Sequence, residues 1–263
     1  MPSSSRTMAL RTLCAAAAVL FGAGPALGAV LASESFEYDI STDASLSGKG
    51  SAGSGWGGPW DTNSSTIVDV SGDPLSANGY SGGDQACQIA YGNENGRRAF
   101  DTTLQPDESE VWLSYLLRWA SGSDGEGERV WVFNTTNNWD HYVMGVDSQS
   151  GDGDDFVISS GYGNTATGGP EYTVGDTVMI VGRATGSQVD LWVNPTGPSD
   201  TPDVTHDDGW NDWPGIGLTN RQNDDTFLVD RIVIGESFQD VVPEPATAAL
   251  LALGGLAMLR RRD

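Results

Sequence analysis

The stretch ESFEYDIST sets two carboxylates, Glu37 and Asp39, two residues apart. On a strand that spacing puts both on one face, and two carboxylates facing one cleft are what glycoside hydrolysis requires. Among 36 acidic residues such near pairs arise by chance, and solvated acids at strand edges would look the same. Nucleophilic triads fare no better. His141 and His206 are the only histidines, and no Gly-x-Ser-x-Gly elbow occurs. His141 in WDHYVMG falls at a strand start, and His206 in VTHDDGW reads as a loop residue. No Cys/His cluster, P-loop or dinucleotide-binding glycine pattern is present. No catalytic residue is assigned, and the chain reads as a non-enzyme.

Binding chemistry is better represented. Nine tryptophans all lie between residues 56 and 213. Trp112, Trp131 and Trp192 fall within strand patterns, whereas Trp56, Trp60, Trp139, Trp210 and Trp213 fall in loops rich in Gly, Asn and Asp. Such rings pack on sugar C–H groups while neighbouring polar groups hold the hydroxyls. These five are the candidate glycan-binding residues. In the competing reading they plug the open ends of the fold. Calcium is the one metal the residues suit, since it takes six to eight oxygens. DSQSGDGDDF offers Asp147, Asp152, Asp154 and Asp155, and HDDGWND offers Asp207, Asp208 and Asp212. Neither has the EF-hand spacing, and plain solvated turns would look the same. No other cofactor is expected.

The elements that would position these residues are strands. In SEVWLSYLLRWA, Val111, Leu113, Tyr115, Leu117 and Trp119 share one face, and Trp112, Ser114, Leu116 and Arg118 the other. That mixed second face suits a strand near the middle of a sheet. SQVDLWVNP alternates Val189, Leu191 and Val193 against a polar set that includes Trp192. In DTFLVDRIVIG, Phe227, Val229 and Val233 oppose Leu228, Ile232 and Ile234. ERVWVF, DHYVMGV, DDFVIS and DTVMIVGRA are further strands, divided by Gly, Asp, Asn and Pro clusters about every ten residues. The pattern predicts an all-β, antiparallel sandwich. Its 35 glycines suit many turns. In QACQIAY, Cys87 alternates onto an apolar face with Ile89 and Tyr91, which predicts a buried, inert thiol.

Charge separates the middle from the ends. The chain of 263 residues carries a net charge of −23. Arg6, Arg11, Arg260, Arg261 and Arg262 are terminal. Without them, Glu244 and Asp263, eight basic and 34 acidic residues remain, a charge near −26. Such a surface repels nucleic acid and anionic lipid. At the start, Arg6 and Arg11 precede the apolar run Leu13 to Ala23 and the small-x-small triplet Ala26-Leu27-Gly28. That is the order of a signal peptide over 1–28, with the mature chain opening at Ala29. Cys14 would be lost with it, leaving Cys87 alone.

At the other end, Ala246 to Leu259 is 14 residues without a charge. As a helix it would reach roughly 21 Å, short of the hydrocarbon core of about 30 Å. Arg260, Arg261 and Arg262 would stop transfer on the cytoplasmic side. Val242-Pro243-Glu244-Pro245, the apolar run and the arginine cluster together resemble the PEP-CTERM sorting signal of Gram-negative bacteria. This tail is also labelled an ice-binding-protein C-terminal domain, a label that says nothing about ice. The resemblance implies a transient inner-membrane helix over 243–263 and removal by an exosortase-type enzyme. It also implies delivery by the export machinery to the cell surface or exopolysaccharide matrix. A plain membrane anchor is the competing reading.

Between the ends, ESFEYD with GSGWGGPWD resembles the opening of bacterial laminin-G-like, concanavalin A-like jelly-roll proteins. YTVGDTVMIVGRATGSQVDLWVNP resembles their paired strands, and FLVDRIVIGESFQDVVP their closing strand. The resemblance implies a jelly-roll β-sandwich over 29–242. Glucanases of that fold carry a Glu-x-Asp-x-Glu row that this chain leaves incomplete, whereas other members bind sugars. Three readings follow: a glycan-binding exported protein, a structural acidic matrix protein holding divalent cations, and a glucanase. Deleting residues 243–263 should abolish surface localisation. Cell fractionation of the truncated form against the intact protein checks this, and an unchanged location would contradict the sorting reading.

Overall fold

A computed structural model describes residues 28–41, 43–50, 52–62, 68–71, 73–89, 92–106, 108–121, 128–133, 141–147, 155–160, 164–210, 212–220 and 226–242. The leader up to residue 27 and the tail 243–263 lie outside them. Within these residues the strands are β1 (Val30–Glu34), β2 (Asp61–Thr62), β3 (Val68–Ser71), β4 (Ser76–Ala77), β5 (Tyr80–Ser81), β6 (Ala86–Ile89), β7 (Gly92–Leu104), β8 (Val111–Ser121), β9 (Glu128–Phe133), β10 (His141–Asp147), β11 (Asp155–Ser160), β12 (Thr165–Gly168), β13 (Thr177–Ala184), β14 (Val189–Val193), β15 (Val204–His206), β16 (Trp213–Asn220) and β17 (Thr226–Gly235). A single helical turn, α1 (Phe238–Val241), follows. No helix among the described residues is long and apolar enough to cross a membrane.

Two antiparallel sheets stack face to face. One runs β15-β14-β13-β8-β17-β6-β3, with β1 added against β17, and the other runs β12-β11-β10-β9-β16-β7-β2. Strand β8 lies between β13 and β17, and its alternation explains its place. Val111, Leu113, Tyr115, Leu117 and Trp119 enter the core between the sheets, together with Met144, Phe156, Ile158, Ile216 and Leu218 of the facing sheet. The buried Tyr115 hydroxyl crosses the sandwich to donate to the Met144 carbonyl at 3.0 Å, and burial raises its phenol well above the usual range. On the outer face, Trp112 and Leu116 form a second core with Leu75, Tyr80, Phe238, Val241 and Val242. Short β4 and β5 and the turn α1 therefore cover a face that water would otherwise wet. Ser114 Oγ ties that cover down by donating to the Val241 carbonyl at 2.6 Å. Val242, the last described residue, is buried there as well.

Three expectations need correction. Val233 was expected with Phe227 and Val229, and Ile232 and Ile234 opposite. The structure puts Ile232 and Ile234 in the inner core with Phe227 and Val229, and Val233 against the outer one with Leu228. The cause is a β-bulge: Asp230 pairs Leu116 but Val233 pairs Ser114, and Arg231 has φ 49°. The extra residue shifts the alternation by one. His206 is a buried strand residue, not a loop one. Its Nδ1 accepts from the Asp208 amide at 3.1 Å. Trp213 opens β16 rather than lying in a loop. That strand, WPGIGLTN, and its neighbour β7, GNENGRRAFDTTL, show little apolar alternation and were not foreseen. Elsewhere the expected strands form, and Cys87 is a buried thiol on β6.

Candidate functional site

The N-terminal segment lays a loop across one flank of the sandwich. Ser33 and Ser54 exchange backbone hydrogen bonds at 2.9 and 3.0 Å, so residues 52–57 run along β1. Gly53 and Gly55 make this approach feasible. Both have positive φ, and a Cβ would fall 1.8 Å from the Ser33 carbonyl oxygen at one and 2.0 Å from that of Leu31 at the other.

Beneath the loop lies a buried ion pair between Glu34 of β1 and Arg98 of β7. Glu34 accepts four hydrogen bonds, one at Oε1 and three at Oε2. Oε1 accepts from the Phe36 amide at 2.7 Å. Oε2 accepts from the Tyr38 hydroxyl at 2.8 Å, from Trp60 Nε1 at 2.9 Å and from Arg98 Nη1. Burial and the Glu34 charge push the Tyr38 phenol far up, so it stays a donor. Arg98 spends its remaining donors on the loop: Nε on the Gly58 carbonyl at 3.0 Å, Nη1 on Ala52 at 3.2 Å and Nη2 on Gly50 at 2.7 Å. One guanidinium thus fixes three carbonyls of a segment with no ladder of its own. It also stacks over Trp56, 4.9 Å from the ring centroid.

The loop so held forms an open cleft of about 650 Å³ lined by Tyr38, Asp39, Gly48, Lys49, Gly50, Trp56, Gly57, Gly58 and Pro59. Trp56 is fixed by its Nε1–H, which donates to the Ser33 carbonyl at 2.6 Å, and by Phe100 stacked at 5.1 Å. It remains half-buried, with part of the indole open to the cleft. Lys49 Nζ donates to the Asp39 carbonyl at 3.0 Å. Asp39 is fully exposed, and the Ser41 amide at 3.0 Å holds its carboxyl below the usual range. It is an acceptor, not an acid. The cleft therefore offers an aromatic wall, one cation, one carboxylate and glycine backbone.

The five candidate rings do not converge. Trp60, Trp210 and Trp213 are buried in the inner core. Trp210 and Trp213 meet edge to face at 5.5 Å, and Trp213 Nε1 donates to the Gly215 carbonyl at 2.8 Å. A ring closed off from solvent cannot stack on a sugar, so these three plug the sandwich. Trp139 lies outside the described residues, and Trp56, half-buried, is the ring of the set that lines the cleft. Of the calcium candidates, Asp147 and Asp155 sit opposite each other in the β10–β11 register, and Asp152 and Asp154 lie outside the described residues. Asp207, Asp208 and Asp212 are exposed, and no cluster of three metal-ligating side chains occurs among the described residues. Nothing in the sequence pattern marks Arg98 or Glu34 as site organisers. Their signal, a charge within otherwise ordinary strand sequence, looks like a solvated edge.

A second unusual acid sits at the β17 bulge. Asp230 is fully buried. Its Oδ1 accepts from the Arg231 amide at 2.6 Å, while its Oδ2 has no hydrogen-bond donor among the described residues. A Cβ on Gly82 would lie 1.5 Å from that oxygen. Nearby, Glu37 Oε1 accepts from the amides of Asp84 at 2.6 Å and Gln85 at 3.1 Å. Burial, helped by the Glu37 charge, pushes the Asp230 carboxyl up to about 7, against the pull of the Arg231 and Leu75 amides.

Two outcomes follow. Arg98→Met strands the Glu34 charge and should cost about 3–5 kcal/mol of stability, with part recovered in Glu34→Gln/Arg98→Met; urea unfolding measures both. For Asp230, the folded protein holds a proton that the unfolded chain has released. The unfolding free energy contributed by this group is therefore greatest in acid, falls as pH rises from about 4 to about 7, and is flat beyond. In chelator-treated samples, the difference between wild type and Asp230→Asn across that window should show this slope. A constant difference would contradict it.

No family model and no curated protein matches the sequence. Solved structures do resemble it in fold. The globular domain of T. cruzi calreticulin is 10% identical over 78% of this chain and 95% of that one, with a TM-score of 0.50. Domain 4 of AbnA, a GH43 extracellular arabinanase from Geobacillus stearothermophilus solved with arabinotriose, is 16% identical over 80% and 94%, with a TM-score of 0.46. The carbohydrate-binding module CBM66 from Bacillus subtilis is 13% identical over 67% and 94%, with a TM-score of 0.40. At such identity the calreticulin likeness is one of fold, and the fold is an antiparallel β-sandwich.

Proposed function

We propose that this is a non-enzymatic, exported protein, sorted by its PEP-CTERM tail to the cell surface or exopolysaccharide matrix, where its cleft binds glycan. The observation that carries the binding is the cleft itself. A half-buried Trp56, Lys49, Asp39 and glycine backbone are gathered on a loop stiffened by a buried ion pair. An aromatic wall with a few fixed polar groups is the chemistry sugars need. Hydrolysis would need two carboxylates at the cleft, whereas Asp39 is the one acid in its lining among the described residues. Glu37 is engaged by the Asp84 and Gln85 amides, and Glu34 by Arg98. Export is supported by the order of charge, apolar run and small residues at the start. The VPEP motif, apolar run and arginines at the end support sorting.

A glycan array carrying neutral and uronic oligosaccharides tests the binding. Wild type should bind a subset. Trp56→Ala should weaken that binding roughly tenfold, and Lys49→Ala should weaken it without moving Tm. An array with no ligand for wild type would remove the glycan reading.

The divalent-cation reading gains one observation of its own. Asp230 Oδ2 is buried without a donor, and the Glu37 carboxylate bears on it electrostatically. A calcium ion held there would supply the missing counter-charge, with main-chain oxygens and water completing its shell. Calcium should then raise Tm of the wild type above neutral pH and leave Asp230→Asn unmoved. Equal shifts in both would count against this position.

A further inference from the structure

Strand β1 opens on two contacts that the cleft does not use. The Ala29 amide donates to Glu236 Oε2 at 3.1 Å, and the Glu236 amide donates back to the Ala29 carbonyl at 3.1 Å. One residue earlier, a Cβ on Gly28 would lie 2.3 Å from Asp240 Oδ2. Asp240 is buried, and the same oxygen accepts from Ser237 Oγ at 2.6 Å. Two carboxylates thus bear on the backbone of residues 28 and 29, and no Lys or Arg among the described residues pairs with either.

The Gly28–Ala29 bond is also the one that follows the triplet Ala26-Leu27-Gly28. We infer that hydrolysis of this bond creates the missing cation: the α-ammonium of Ala29 forms an ion pair with Glu236, beside Asp240, that holds β1 on β17 in the processed chain. This rests on the export reading above. In the step, a peptidase adds water across the amide. The C–N bond breaks, the Gly28 carbonyl carbon takes the water oxygen and leaves as a carboxylate, and both water hydrogens end on the Ala29 nitrogen. A neutral donor with one proton becomes a charged donor with three, and charge-assisted hydrogen bonds are about twice as strong as neutral ones. The peptidase wants a small side chain at residue 28, and Gly28 meets that demand before it leaves. The pair bears on the cleft, because β1 also carries Glu34.

The test uses the exported protein, as wild type and as Glu236→Gln. Mass spectrometry reads the N-terminus. The protein is then acetylated selectively on its α-amine near neutral pH, where its single lysine, Lys49, stays protonated. Urea unfolding is compared before and after. Expected are a start at Ala29 and an unfolding constant that rises about two- to fivefold on acetylation, the range of an exposed ion pair. The rise should vanish in Glu236→Gln, a change at an exposed side chain. A start at Ala29 with no effect of acetylation would overturn the ion pair and leave export standing. A start elsewhere would overturn the processing step itself.

Discussion

The cleft depends on one constraint: a buried carboxylate must be neutralised, and Arg98 does so while reaching past it. Glu34 lies on β1 of one sheet and Arg98 on β7 of the other. Taking both charges out of water is costly, so their geometry admits few alternatives. Once Arg98 faces Glu34, its other donors point at residues 50–58 and fix three carbonyls there. A glycine-rich loop that would otherwise sample many conformations becomes the wall of a cleft. Trp56 is oriented by the same device, being stacked under Arg98 and bonded to Ser33.

Four buried acids show how an acidic chain accommodates charge inside its fold. Glu34 is paired and fully hydrogen-bonded. Asp190 is met by Arg183, by Gln188 Nε2 at 2.7 Å and by Thr205 Oγ1 at 2.8 Å. Asp240 accepts from Ser237 and faces the backbone at Gly28. Among the described residues, Asp230 keeps a buried oxygen without a donor, and burial drives its carboxyl toward neutrality. Buried polar atoms are ordinarily satisfied.

The outer cover of the β8 sheet explains how the domain finishes. Because the outer face of β8 carries Trp112 and Leu116, that side needs a lid, and β4, β5 and α1 supply it. The last described residues, Val241 and Val242, belong to that lid.

By itself, the sequence determined the class of fold, most of the strands and the two-faced nature of β8. Period-two alternation is a local signal and survives without knowledge of neighbours. The order of charge and apolar residues at the two ends is linear as well, and the export and sorting reading proposed above is drawn from it alone. What only the tertiary structure decided is everything that depends on partners distant in the chain. Strands β7 and β16 lack apolar alternation and exist because each finds a ladder. The Arg231 bulge inverted the faces of Val233, Ile232 and Ile234, since one inserted residue is invisible to a pattern of period two. Trp60, Trp210 and Trp213 looked like loop rings until packing enclosed them, while Trp56, in the same kind of sequence, stayed open. Glu34 and Arg98 are 64 residues apart. A charge becomes an organiser only when folding removes the water around it, and composition and spacing do not record where water is removed.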